Sequence, residues 1–277
     1  MSDIRSVGRL FYSLGIIAYG IQQIIIKDFR PQILPGFPAW VHEWSVFAIL
    51  SGIFMIGAGF LTTGLLKVRA VIRKKIFLYL GFYFLVLLLV SHLPYLLFVY
   101  PHKLSHLGSW GDALKGLAFS GGAFIMAGSW TNEDFSFTSS NDVNAPLEKL
   151  IPLGRLFYCT TIILFGCNHF VYDISAMVPK WFGPLTFWSY FGGAALIGAG
   201  AAILLQIWLK PVSLLLATML FLWFIMLHIP NAIANPYAGR GNAVVSAFDA
   251  LLFCGTALVL SQSKKQKSHL MSEKAMV

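Results

Sequence analysis

Charge is what this sequence has least of. Asp, Glu, Lys and Arg make up 11% of its 277 residues, against roughly a quarter in a soluble domain, which excludes an ordinary water-soluble globule. Cysteine is scarcer still. Cys159, Cys167 and Cys254 form no CxxC or CxxxC pair, and all three fall inside apolar runs, where Cys behaves as a small apolar residue. Cys159 and Cys167 stand eight positions apart on one expected helix, too far for a disulfide, so a thiol redox centre is disfavoured. There is no Walker motif, dinucleotide glycine fingerprint, HExxH or serine elbow. A self-contained soluble active site is therefore not indicated.

What is present is apolar: 57% hydrophobic residues and a mean hydropathy of +0.74. These residues lie in long runs at approximately 8–26, 44–66, 76–100, 112–130, 153–172, 186–208, 211–229 and 243–261. About 20 mostly apolar residues carry a helix across a bilayer, and the runs lack the alternation of barrel strands. The expectation is an all-α polytopic membrane protein with eight transmembrane helices. No small-residue cleavage site follows the first run, so that span is expected to stay.

The net charge of +9 is placed by topology. Lys67, Arg69, Arg73, Lys74 and Lys75 follow span 2, Lys264, Lys265, Lys267 and Lys274 follow span 8, and Arg5 and Arg9 open span 1. With eight spans these share one side, and the positive-inside rule puts both termini in the cytoplasm of a multi-pass protein of the cell membrane, of the bacterial inner-membrane kind. The expected partner is the lipid bilayer, with other membrane or redox subunits as further candidates. Nucleic acid is excluded as a partner, because topology alone accounts for the basic charge.

The line Val7-Gly8-Arg9-Leu10-Phe11-Tyr12 returns as Leu153-Gly154-Arg155-Leu156-Phe157-Tyr158, 146 residues later (155 − 9). Further islands recur in the same order. Gly20-x-Gln22-Gln23 matches Gly166-x-Asn168-His169, and Ile56-Gly57-Ala58-Gly59 matches Ile197-Gly198-Ala199-Gly200. His92-Leu93-Pro94 matches His228-Ile229-Pro230, and Asp112-Ala113-Leu114 matches Asp249-Ala250-Leu251. An internal duplication is expected: four-helix repeats at 1–130 and 151–262, a polar cytoplasmic linker at 131–150, and a basic tail at 263–277. Four spans per half make them parallel repeats, each an up-down four-helix bundle.

The polar residues kept in both halves are the candidates for chemistry. Arg9 and Arg155 read as structural, either as snorkelling anchors or as charges facing the bundle. His92 and His228 stand two residues before a proline, where a ring can serve the backbone freed at the kink or act as a functional ionisable group. Asp112 and Asp249 open the fourth span of each half, at the depth of the histidines. His92–Asp112 and His228–Asp249 pairs would latch two helices, exchange protons with a quinone headgroup, or ligate a metal; a dedicated metal site is not assigned. His169 has no counterpart in the first half, so His169, His228 and Asp249 form a candidate triad there, with Asn168, Asn231 and Arg240 as candidate cofactor-binding residues. Quinone is the cofactor class these groups suit, and a bis-histidine haem between His92 and His228 is disfavoured.

The line from Gly8 to Gly15, continuing to Tyr19-Gly20-x-Gln22 and repeated at 153–169, resembles the start of the DoxX/DoxD-like membrane proteins. The resemblance implies a four-span bundle, here in tandem and double length. It also implies an association with membrane quinone oxidoreductases or with thiol homeostasis. The expected function is an accessory or quinone-interacting subunit of a membrane oxidoreductase system, whether or not it is itself an enzyme. The alternatives are a non-enzymatic membrane scaffold or assembly protein and, behind it, a transporter of small solutes or lipid.

Overall fold

Asp3 starts the first helix. Its carboxylate accepts the Arg5 N–H at 3.3 Å, taking up one of the donors that a helix start leaves free. Helix α1 (Ile4–Ile26) then runs for 23 residues and closes on Lys27 in the left-handed conformation (φ 53°). The computed structural model describes residues 3–130, 145–175 and 178–263. The linker acids Glu133, Asp134 and Asp142 and the tail lysines Lys264, Lys265, Lys267 and Lys274 lie outside the described residues.

Seven more long helices follow: α2 (Ser45–Thr62), α3 (Ala70–Leu87), α4 (Gly111–Ala127), α5 (Leu153–Val171), α6 (Leu185–Leu204), α7 (Leu209–Trp223) and α8 (Asn242–Leu260). The fold is all-α, with no strand among the described residues. Among the described residues, seven helical stretches are long and apolar enough to cross a membrane, so this is a polytopic membrane architecture. The expected eighth, α4, has 17 residues, about 26 Å of helix. It lies inside the bundle, with every residue from Ala118 to Ala127 buried, and so needs no lipid-facing surface of its own.

Helices α4 and α8 form the centre, where Asp249 to Ala257 are likewise all buried. Around them α1 packs between α2 and α8, and α5 packs between α6 and α4. Glycines set these crossings. A Cβ on Gly8 would lie 2.6 Å from the Gly255 carbonyl oxygen, and one on Gly154 would lie 2.7 Å from that of Gly121. Such contacts let backbones approach where apolar driving force between helices is weak in lipid. The outer helices turn large apolar side chains outward, among them Leu50, Ile53 and Phe54 on α2 and Leu215 and Leu222 on α7.

Hydrogen bonds at these crossings come in matching pairs. Tyr12 Oη donates to the Phe119 carbonyl at 2.6 Å, and Tyr158 Oη to the Phe253 carbonyl at 2.8 Å. Ser120 Oγ donates to the Gly81 carbonyl, and Cys254 Sγ to the Ala217 carbonyl. Phe119 and Phe253 also meet each other, with ring centroids 6.2 Å apart. These contacts relate α4 to α8 by 134 positions (253 − 119), whereas the Asp-Ala-Leu match uses 137 (249 − 112). The difference is close to one helical turn. In the packed bundle, therefore, Asp249 stands opposite Lys115 and not in the place of Asp112.

Two polar ends bound the bundle. At one, Arg5 Nη2 donates to the Gln262 carbonyl at 3.1 Å, Lys74 pairs with Glu148 at 2.6 Å, and the Arg9 guanidinium lies 4.3 Å from the Trp130 ring centroid. These contacts bring the start of α1 and the ends of α4 and α8 together. At the other end Asp28 receives His42 at 2.8 Å and Arg240 at 3.0 Å. Each His-x-Pro is preceded by a π-helical turn, at Leu88–His92 and Phe224–His228. There Leu93 N–H bonds the Leu88 carbonyl and Ile229 N–H the Phe224 carbonyl. The wider turn accommodates the proline, a task the sequence reading gave to the histidine side chain.

Candidate functional site

His169 comes from the last turn of α5, and His228 from the π turn after α7. Both line one cavity of about 370 Å³ whose other walls are almost wholly apolar, with Phe182, Trp188, Phe191 and Trp223 among them. The His169 ring stacks on Trp223, with centroids 6.2 Å apart and planes at 28°. Its Nδ1 lies 2.8 Å from the Ser189 carbonyl oxygen. A carbonyl only accepts, so Nδ1 carries the proton and Nε2 of the neutral ring is left as an acceptor. Gly192 makes room for this arrangement, since a Cβ there would meet Trp223 at 3.0 Å.

Asp249 does not complete a triad with the two histidines. Its carboxylate accepts Tyr19 Oη at 2.5 Å and pairs with Lys115 Nζ at 2.7 Å. The register of α8 against α1 and α4 turns it toward those helices, and an ammonium outcompetes a neutral imidazole for a buried carboxylate. His92 and Asp112 do not meet either. His92 is buried with Nε2 unpartnered, beside Gly116, and no hydrogen bond or ion pair joins it to Asp112 among the described residues. Those residues also hold no group of three His, Cys, Asp or Glu side chains placed to share a metal ion.

Of the other candidates, Asn168 has a buried Oδ1 without a partner, and Asn231 accepts from Asn235 Nδ2 at 3.0 Å. Arg240 belongs to a second cavity, of about 430 Å³, at the polar end that holds Asp28. Arg30, Gln32, Asp112, Lys115 and Asn242 line it too, below the first turns of α4 and α8. Arg30 donates to the Arg240 carbonyl at 2.9 Å and to Asn242 Oδ1 at 3.0 Å. The chain makes that carbonyl available by a left-handed turn through Gly239, Arg240 and Gly241 (φ 55°, 57° and 84°). Glycine carries this conformation at little steric cost, but Arg240 does not.

Burial pulls the Arg30 guanidinium below its ordinary pKa, although the Tyr19 hydroxyl and the Asp249 and Asp112 carboxylates oppose it. Burial raises the Asp28 carboxyl, but hydrogen bonds from His42, Arg240 and the Phe29 N–H outweigh it and hold the pKa below the usual carboxylate value.

Sequence reasoning missed Tyr19, Arg30, Gln32 and Lys115. For Lys115 a signal was present: it is an ionisable side chain within an apolar run, one turn beyond Asp112, and such residues are functional or paired by default. Arg30 lies in the loop after α1, and nothing in the sequence announces its burial. Comparison with family models, with curated proteins and with solved structures finds no match to the chain.

Proposed function

We propose that this protein holds a quinone-type ring in the His169–His228 cavity, as an accessory subunit of a membrane oxidoreductase system. The observation that carries the reading is the pairing of two imidazoles in one aromatic, otherwise apolar cavity between helices with lipid-facing surfaces. A flat ring fits between aromatic walls. His169 Nε2 would accept a hydrogen bond from the hydroxyl of a reduced ring, and a protonated imidazole would donate to the carbonyl of an oxidised one. Lipophilic ligands take concave, mainly apolar sites with a few placed polar groups.

The same proposal includes the tandem architecture. Two parallel four-helix halves, similar to DoxX/DoxD-like bundles and with both termini cytoplasmic, account for the matched contacts of α4 and α8 and for the clustering of Lys and Arg at one polar end. The first helix of each half packs on the last helix of the other, so on this reading the halves are interlocked.

The test is retention of a short-chain quinone by the full chain in lipid nanodiscs, read by extraction and mass spectrometry. The expected result is saturable retention that falls about tenfold in His169→Ala and in His228→Ala, the loss of one hydrogen bond of ordinary strength in a desolvated site. Retention unchanged by both substitutions, or no retention at all, overturns the reading and leaves the scaffold role.

A further inference from the structure

The 430 Å³ cavity at the Asp28 end is separate from the histidine cavity, and its charges do not close on themselves. Lys115 is matched by Asp249 at 2.7 Å and Arg240 by Asp28 at 3.0 Å. Two lining groups remain, one of each sign. Arg30 is 2% exposed, yet both of its hydrogen bonds go to neutral oxygens and its Nε is buried without a partner. Asp112 makes no hydrogen bond or ion pair among the described residues. Arg30 and the half-buried Asp112 act on each other, and Lys115 on Asp112, only across a distance. A polar group removed from water without a contact partner is costly, so a ligand that touches both gains what their separation leaves unmet.

Gln32 adds a direction. Arginine donates and never accepts, so its bond to Asn242 fixes that amide with Oδ1 toward Arg30. Gln32 must then present its Nε2 to the same Oδ1, which it does at 3.4 Å. Its Oε1 is thereby left as an acceptor, buried and unpartnered, on a side chain 4% exposed. The cavity thus offers an unused guanidinium donor, an unused amide acceptor and a carboxylate with no contact partner. The first turns of α4 and α8, at Gly111 and Asn242, also line it and favour negative charge.

We propose that this cavity binds a zwitterion that carries an oxyanion beside an N–H-bearing ammonium, as in phosphoethanolamine. The oxyanion meets Arg30, and the ammonium donates to Gln32 Oε1 and Asp112. A lipid headgroup and a free small molecule both present this chemistry. Ile26, Phe29 and Phe165 on the wall suit the chains of a lipid as well as a dry pocket.

The experiment uses the full chain, delipidated in detergent. Calorimetry compares O-phosphoethanolamine with phosphocholine, and native mass spectrometry compares phosphatidylethanolamine with phosphatidylcholine. The ethanolamine form should bind about tenfold tighter than the choline form, because trimethylammonium has no N–H to donate. Arg30→Gln and Asp112→Asn should each weaken binding about tenfold. A preference seen with the free headgroup assigns the site to small molecules, and one seen only with the lipid assigns it to a membrane headgroup. Equal binding of ethanolamine and choline forms, or a preference untouched by both substitutions, overturns the proposal. Should Arg30→Gln fail to fold, Asp112→Asn decides alone, since Asp112 supports no contact that folding would lose.

Discussion

On the proposed tandem reading the C-terminal ends of α1 and α5 correspond, yet their surroundings differ. Gln23 stands where His169 stands, 146 positions earlier (169 − 23). Gln23 donates to Ser51 Oγ at 2.9 Å, and Ser51 shares a hydrogen bond of 2.7 Å with Tyr83 Oη. Gln23 Nε2, Ser51 and Tyr83 are committed to one another, while Gln23 Oε1 stays buried without a partner, beside an apolar cavity of about 540 Å³ that Ser51 and Tyr83 help to line. In the second region Gly192 takes the place of Ser51 by the matched Ile-Gly-Ala-Gly offset of 141 (198 − 57), and Met219 that of Tyr83 by the His-x-Pro offset of 136 (228 − 92). No hydroxyl chain forms, Trp223 closes over His169, and one imidazole nitrogen stays uncommitted. Two hydroxyls fewer and one imidazole more separate a helix contact tied by hydrogen bonds from a cavity that presents a free ring nitrogen.

The largest expected effect comes from breaking the contact at the centre, where Asp249 of α8 joins Tyr19 of α1 and Lys115 of α4. Asp249→Ala leaves Lys115 as an unpaired ammonium and Tyr19 without its acceptor. The expected loss is about 3–5 kcal/mol of stability, read as a fall in the denaturation midpoint in detergent. Lys115→Met with Asp249→Leu should recover much of that loss, because apolar replacement of a buried pair is often neutral or better.

Next in size is Gly192→Ala. Its Cβ would meet Trp223 at 3.0 Å, so the indole must shift. A cost of about 1–3 kcal/mol is expected, together with weaker quinone retention and altered tryptophan fluorescence. The converse exchange sharpens the comparison. Ser51→Gly with Gln23→His should weaken the first region's network and add a second quinone-retaining cavity, seen as a stoichiometry rising from one to two. Unchanged stoichiometry would show that the hydroxyls are not what closes the first region.

The smallest effect belongs to the Asp28 group. Its pKa is lowered in the folded protein, so its contribution is complete above the ordinary carboxylate range and is lost as pH falls through the folded value. The group is partly exposed, and less than about 1 kcal/mol is expected. Asp28→Asn should therefore lower stability by that small amount at neutral pH, and its difference from the unsubstituted protein should vanish as pH falls through the folded value of Asp28.

The helices themselves were legible because twenty apolar residues in a row leave a chain in lipid few other options. The end of α7 and the start of α8 were blurred by Pro230 and the asparagines, and there local backbone geometry decides: a π turn before His-x-Pro, and a left-handed turn at Gly239–Gly241. His169 and His228 line one cavity, both at the same end of packed helices. Asp249 was drawn toward them because sequence similarity aligned it with Asp112. The glycine contacts Gly8–Gly255 and Gly154–Gly121 relate α4 to α8 by 134 positions (255 − 121), three fewer than the Asp-Ala-Leu match, and a turn-sized difference changes every partner.

By itself the sequence determined a helical membrane chain, the placing of its basic ends, and the pairs of positions at which like residues recur. Those features follow from transfer free energy and helix periodicity, which act on local composition. Only the tertiary structure decided which polar groups satisfy one another. Arg30 became a buried charge, Lys115 claimed Asp249, and His169 kept a free nitrogen. Such outcomes depend on contacts between different helices, more than a hundred positions apart for Arg30 and Lys115, set by how closely backbones approach at Gly8, Gly121, Gly154 and Gly255.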